Sequence, residues 1–390
     1  MMFMFANKIL FIHCFSRYTD DKMKFFIRNV GRIIGTLRAE KRQLVNRYFT
    51  KIPRLEGNAA EICRQIVEKL WEGDFYRTSQ GHFDFFWMRD FGTVSESLVN
   101  TGYKKHVLHT LRWALLHYRR ADRVTTCIDK AGNCFEAPGH AVDSLPWLLH
   151  CLVVSNYDLN KSERKFLAGE LDRYCKKYLD TAGFVRPIKF AEMRDAVIYD
   201  RSAYAVTLIA RMAYCVEVLQ LTGFPYELLQ YQEELLSRYW NGQYFNADRR
   251  TNAFSAECAL FPFFLGVIDD GAMAGVTFDY INQEKMNEPF PLIYTKQPKA
   301  FRYHWWMTKP FMPNYQEETL WSWHGVFYLH LLKRYRRSEY NVQLDKFSKG
   351  MIEKHGSFPE MLNKDGSWYY APIYKGDPGM VWAALYLELT

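Results

Sequence analysis

The chain lacks the marks of several large protein classes. No CxxC pair and no Cys/His cluster with zinc spacing occurs, which excludes the usual zinc centres. No apolar run reaches the roughly 18 residues that a membrane-crossing helix needs, which excludes an integral membrane protein. No long Lys/Arg tract and no nucleic-acid motif is present. The net charge of +8 is mild for 390 residues, and the basic runs 24–32, 38–47, 112–123 and 333–337 are short. They fall mostly at helical spacing, as solvated helix faces do, so nucleic acid is not the expected partner. The N-terminal MMFMFANKILFIHCFSRY is apolar, yet it is broken by Lys8 and His13 and lacks a small-residue cleavage site. Met23 opens a more ordinary MKFFIRNVGRIIGTLR, so residues 1–22 read as an upstream start or a surface anchor.

Cysteine is present without a pattern. Cys14, Cys63, Cys127, Cys134, Cys151, Cys175, Cys215 and Cys258 are scattered, several within apolar helical runs. Free buried thiols in a reducing compartment are expected, which points to the cytoplasm. Cys127 and Cys134 are near enough to pair across a hairpin loop, but nothing demands it.

Aromatic residues, by contrast, are abundant, with 29 Phe, 26 Tyr and 11 Trp making 17% of the chain. They can fill a helical core or line a carbohydrate-stacking cleft. Residues 23–50 form an amphipathic basic pattern, read as one helix outside the main body and part of an N-terminal extension, 1–55. From residue 56 to 390 the chain settles into a rhythm of helix, short polar link, helix and long loop. Counting a poor candidate at 270–283, about twelve helices run from 58–71 to 378–389. Long loops recur at 74–91, 124–142, 181–199, 240–255, 284–315 and 355–377. Strands are expected only as short hairpins inside those loops. The fold class is therefore all-α: six helical hairpins closed into an (α/α)6 barrel, with the six loops lining one funnel.

The loops carry the candidate chemistry. GHFDFFWMRDFG (81–92) places Arg89 and Asp90 after Phe83, Phe85, Phe86 and Trp87, at a loop-to-helix junction. An Arg-Asp pair walled by rings suits a polyhydroxylated ring: carboxylate and guanidinium meet hydroxyls, and aromatic faces cover C–H faces. A buried salt bridge under a hydrophobic lid reads equally well from the dipeptide alone. Asp143 follows Gly139-His140 and opens a helix bearing Trp147, where Asp is also an ordinary N-cap. Glu360 sits after Pro359 before an aromatic hairpin, off any helix face. The fifth loop offers His304, Trp305, Trp306, Tyr315, Gln316, Trp321 and Trp323 as a sugar platform. Glu192, Arg194 and Asp195 in the third loop read as internal salt bridging, and Glu257 as a helix cap.

The order FWMRDFG, AVDSLPW, NYQEETLWSWHG and FPEM…DGS…GMVWAALYLEL resembles the neutral/alkaline invertases over about 81–389. More loosely it is similar to the amylo-α-1,6-glucosidase and glucoamylase-like enzymes of the six-hairpin toroid. The resemblance implies an inverting glycosidase needing no metal or organic cofactor, acting on an oligosaccharide or small glycoside. It implies that Arg89 and Asp90 bind the sugar, that Asp143 is the general acid and that Glu360 is the general base. Tyr315, Gln316, Trp321 and Trp323 follow as sugar contacts, with Trp87, His140 and Trp147 beside the motif residues. Tyr315-Gln-Glu-Glu-Thr319 stands where invertases have His-Asn-Gly-Gly, and Met361 where they have Tyr, so the substrate need not be sucrose. A sugar epimerase or lyase working through His140, His304 or His324, or a non-catalytic sugar-binding module, remains the alternative. Oligomeric state is not legible.

Overall fold

The computed structural model describes residues 41–137, 139–186, 192–304 and 310–390. Trp305 and Trp306, and the expected helix before residue 41, lie outside the described residues. Among the described residues, twelve α-helices follow residue 58. They are α1 (Ala59–Lys69), α2 (Met88–Leu98), α3 (Lys104–Arg120), α4 (Ser144–Val154), α5 (Lys161–Tyr178) and α6 (Ala203–Val218). The second half holds α7 (Leu228–Glu234), α8 (Ala256–Phe264), α9 (Gly271–Gln283), α10 (Ser322–Arg334), α11 (Tyr340–Phe347) and α12 (Ala383–Leu389).

Their contacts form a cycle. Helix α2 packs on α4, α4 on α6, α6 on α8, α8 on α10, α10 on α12, and α12 returns to α2. The remaining helices lie outside this set, α1 against α12, α5 against α4, and α7 against α6. Sequence pattern follows the layering. All residues of α4 from Ser144 to Leu152 are buried, and α10 is buried from Ser322 to Leu329, because these helices have neighbours on every side. Helix α1 is amphipathic, with Ile62, Cys63, Ile66 and Val67 inward and charged residues outward.

Side-chain caps occur mostly in the outer set, on three of its six helices. Asn58 and Asn160 build capping boxes on α1 and α5, and Asp270 caps α9. Within the cycle only α6 has a side-chain cap, from Ser202. Helices α2, α4, α8, α10 and α12 start without one, so their first N–H groups are left for other partners.

The strands are short, and they cross-link loops more than they form hairpins. β1 (Phe86–Trp87) pairs with β2 (Cys127–Ile128), joining the first and second loops, and β2 pairs with β3 (Cys134–Phe135). β4 (Leu320–Trp321) pairs with β5 (Met361–Leu362), joining the fifth loop to the sixth. Cys127 and Cys134 stand on the neighbouring strands β2 and β3 as free thiols, and the other described cysteines are free as well. No helix among the described residues is long and apolar enough to cross a membrane.

One expectation changes. Residues 41–49 are helical, as read from the sequence, but they lie against the sixth loop instead of apart from the body. Arg47 Nε donates to Ala371 O (2.6 Å), Tyr48 OH to Pro372 O (2.6 Å) and Lys375 Nζ to Thr50 O (2.7 Å). Arg47 of the basic pattern and the neighbouring Tyr48 thus donate to loop carbonyls, while the loop's Lys375 donates back to the segment.

Close packing between α2 and α4 rests on Gly92. A Cβ there would fall 2.6 Å from Trp147 Cβ and 2.8 Å from its ring. Gly92→Val should cost about 1–3 kcal/mol by overpacking. Exposed Gly169 on α5 has nothing within 4 Å of such a Cβ. Gly169→Ala should gain about 0.5–1 kcal/mol from lower backbone entropy. Urea unfolding midpoints measure both, and a tolerated Gly92→Val would contradict the packing.

Candidate active site

The N-terminal ends of the six cycle helices meet through their first residues. Arg89, on the first turn of α2, donates from Nε to Asp143 Oδ2 at 2.5 Å. Asp143 is the residue before α4, as the sequence suggested, but its carboxylate makes no cap bond. The same Oδ2 accepts from the Tyr204 hydroxyl (3.0 Å) on the first turn of α6. Tyr199 OH and Ser255 Oγ, before α6 and α8, donate to Glu257 at 2.5 and 2.6 Å. Ala256 N donates to Tyr294 O, and the Tyr294 ring lies edge-on to His324 of α10. Trp323 of α10 stacks on Trp382, 4.2 Å between ring centroids, and Trp382 Nε1 donates to Asp90 Oδ1 (3.0 Å), closing the circuit at α2.

Glu360 joins this end through its backbone, since Ser322 N, the first residue of α10, donates to Glu360 O (3.1 Å). Tyr374 OH donates to its carboxylate, 2.7 Å from Oε1 and 2.9 Å from Oε2, and Asp377 N donates to Oε2 (2.9 Å). The Tyr374 ring contacts Tyr315.

The other expected contacts divide. Tyr315 is buried beside Tyr374 and Trp321. Gln316 Oε1 accepts from Ala196 N (2.8 Å) and its Nε2 reaches Met193 O, so its amide holds the third loop. Trp147 is fully buried beneath the ring, its Nε1 donating to Tyr204 OH (3.1 Å). Trp321 Nε1 donates to Tyr315 O and Thr319 Oγ1, whereas Trp323 Nε1 has no partner among the described residues. Trp87 lies in a small cluster with Phe85, Cys127, Phe135 and Ala137, its Nε1 likewise without a described partner. His140 is partly exposed and reaches Glu136 Oε1 at 3.3 Å. His304 N donates to Ala196 O, tying the fifth loop to the third.

Three acids read as salt bridges or caps belong to the cluster. Asp195 Oδ1 lies 3.6 Å from Arg89 Nη1, and its side chain is 20% exposed against 0% for Asp143. Glu192 is buried and accepts from Ser202 Oγ. Glu257 is fully buried. The sequence signal for Asp195 was its position after Arg194, the second Arg-Asp step of the chain. Arg194 itself does not touch the acids: it is stacked among Tyr294, Phe301 and Tyr303 and donates to Gln316 O.

Burial dominates the electrostatics. It pushes Asp90 up to about 7, against the pull of Arg89 and the Trp382 bond. It pushes Asp195 up to about 6 and Glu192 to about 8. Glu360 rises to about 7 through burial, with His82 acting the other way. Several buried polar atoms here have no hydrogen-bond partner among the described residues: Arg89 Nη2, Asp143 Oδ1, Asp195 Oδ1, Ser144 Oγ, Trp323 Nε1. Such orphans are costly unless a ligand satisfies them. The described residues contain no group of three or more His, Cys, Asp and Glu placed to hold a metal.

No family model matches the chain, and no curated protein matches it in sequence. Solved structures do match in fold. A wild-type glycosidase superposes with a TM-score of 0.59 at 11% identity, covering 85% of this chain and 95% of its own. A GH63 mannosylglycerate hydrolase from Thermus thermophilus superposes at 0.56 and 10% identity, covering 85% and 99%. A single-residue variant of a glycosidase, in complex with glucose, gives 0.59 at 12% identity, covering 85% and 95%. The chain thus has the fold of these glycosidases, helical with few strands.

The raised carboxyls set a pH dependence. Each binds its proton more tightly folded than unfolded, so its stabilising contribution is complete below about pH 4, the unfolded value. It is lost as pH rises through the folded value, about 7 for Asp90. Asp90→Asn should therefore flatten part of the fall in stability between pH 4 and about 7. Urea unfolding across that range measures it, and parallel curves for variant and wild type would contradict the shift.

Proposed function

We propose that the protein is a glycoside hydrolase, cleaving an O-glycosidic bond with inversion at one end of an (α/α)6 toroid. The cycle of helix contacts supports the toroid. The observation that carries the activity is the buried cluster of acids around Arg89, in which Asp143 Oδ1, Asp195 Oδ1 and Arg89 Nη2 have no hydrogen-bond partner among the described residues. The motif order shared with neutral/alkaline invertases supports the same reaction. Neighbours named for a glucose complex and for mannosylglycerate hydrolysis support a hexosyl unit as the recognised group.

Arg89 Nη2 and Asp90 Oδ2 are suited to the ring hydroxyls at the cleaved position, with Trp323 Nε1 as a further donor. Glu360, raised to about 7, is ionised in good part near neutral pH and draws a proton from water on one face of the sugar. Asp143 donates the proton to the leaving oxygen. Its Oδ2 is engaged by Arg89 and Tyr204, which leaves Oδ1 for that task.

A second reading places the donor at Asp195. Its value, raised to about 6, leaves a larger protonated fraction than an ordinary aspartate has, and its side chain is more exposed than those of Asp143 and Glu360. Asp143 then serves as the charged partner that orients Arg89. In either case the inverting course requires a donor-to-base separation of about 6.5–9.5 Å.

The test compares Asp143→Asn, Asp195→Asn and Glu360→Gln on α- and β-glucosides, sucrose, trehalose, glucosylglycerate and mannosylglycerate. Glu360→Gln should lower kcat about 10²–10⁴-fold on every substrate cleaved. Loss of the true donor should be severe for sugar leaving groups and mild for aryl glycosides with an acidic phenol. NMR of the first-formed product should show the inverted anomer, which also separates hydrolysis from epimerisation or elimination. Equal rates for wild type and all three variants would remove the assignment.

A further inference from the structure

The candidate base Glu360 does not stand alone. Its carboxylate is held by Tyr374 and by the backbone N–H of Asp377. Asp377 is itself fully buried, and its side chain is the hub of a second network. His82 N and Phe83 N donate to it at 2.9 and 3.0 Å, Ser79 Oγ donates as well, and the His82 ring Nδ1 lies 2.8 Å away. A further donor comes from the N-terminal segment: Asn46 Nδ2 lies 2.8 Å from Asp377 Oδ1 and 2.9 Å from His82 Nδ1. Asn46 is only 2% exposed, although nearby Tyr48 and Phe49 are exposed. Gly81 approaches the same carboxylate so closely that a Cβ would collide with it.

These contacts join three distant pieces of chain. Asn46 precedes the helical body, His82 lies in the first loop, and Asp377 and Glu360 lie in the last. The strap is fixed just after Asn46 by the bonds of Arg47, Tyr48 and Thr50 to residues 371, 372 and 375, and before it by the ion pair of Arg42 with Asp84 in the first loop. The His82 ring also lies edge-on to Tyr374, which donates to both oxygens of Glu360. His82 Nε2 is buried and has no partner among the described residues.

We propose that Asn46 and His82 are positioning residues for Glu360, acting through Asp377 and Tyr374, so that the segment before the helical body completes the site. This rests on Glu360 being a functional carboxylate. Asp377 is held below the usual carboxylate range: burial opposes that, but His82, Ser79 and the backbone donors outweigh it. Burial raises Glu360, the His82 ring lowers it and the negative charge of Asp377 raises it further. The phenols of Tyr315, Tyr369 and Tyr374 also face Glu360, their own values raised by burial, and the buried Lys375 ammonium, lowered by burial, interacts with Asp377. Removal of the His82 ring takes away one partner of Asp377 and its lowering effect on Glu360, so the Glu360 proton should bind more tightly.

The experiment uses the full chain with ¹³C-labelled glutamate side chains, the Glu360 signal being assigned by its absence in Glu360→Gln. His82→Gln and Asn46→Ala should each raise the Glu360 titration midpoint, His82→Gln by more. Tyr48→Phe, which removes an outer strap bond only, should leave it in place. Unchanged midpoints in folded His82→Gln and Asn46→Ala would overturn the proposal. Should either variant fail to fold, the unmodified protein still decides: the His82 ring ¹⁵N shifts should change at the Glu360 midpoint, and no change there would overturn the coupling. If a substrate is cleaved, the acid limb of its kcat/KM profile should move up in pH in step with the NMR midpoint. A moved midpoint with no glycoside cleaved would retain the positioning role and remove the hydrolase reading.

Discussion

One buried cation gathers a site otherwise made of acids. Arg89 reaches Asp143 and Asp195, residues from the second and third loops, and stands beside Asp90. Without its charge, burying so many carboxyls at one end of the helix cycle would drive all of them to hold protons. With it, Asp143 sits in a direct ion pair while Asp90, Asp195 and Glu192 are raised to different degrees by their surroundings. Acids pushed to different values within one cluster are what acid/base chemistry at neutral pH requires.

The helix arrangement makes this gathering unavoidable. Successive members of the cycle bring their N-terminal residues to one end, so each long loop ends there. Five of those helices start without a side-chain cap, and residues that would ordinarily serve as caps are turned to other work. Asp143 is the clearest case, since its carboxylate serves Arg89 and Tyr204. Loop-to-loop pairing, β1 with β2 and β4 with β5, holds the rim that carries Trp87 and Glu360.

Helical periodicity made most of the architecture legible. The twelve helices and six long loops read from the chain correspond closely to α1–α12. Even the weakest candidate, 270–283, is a helix from Gly271, where the Asp270 cap compensates for glycine and asparagine inside it. Arg89, Asp90, Asp143 and Glu360 could be picked out because each stands at a loop-helix junction or off a helix face among aromatics. The purpose of Gln316 and Trp147 could not. A polar amide in an aromatic loop looks the same whether it meets a sugar or a backbone, and only the fold shows it bound to Met193 and Ala196. Asp195, Glu192, Glu257 and the Asn46–His82–Asp377 network depend on contacts between residues tens or hundreds of positions apart, which no local pattern announces.

The central claim is that a sugar ring is held at the Arg89 end of the helix cycle, with carboxyls on opposite sides of its bond. A crystal structure with a gluco-configured deoxynojirimycin-type inhibitor tests it most directly. The account expects the ring hydroxyls on Asp90 and Arg89, and Glu360 facing the anomeric position across from Asp143 or Asp195. An inhibitor bound elsewhere, or a ring at this end with Glu360 out of reach, would contradict it.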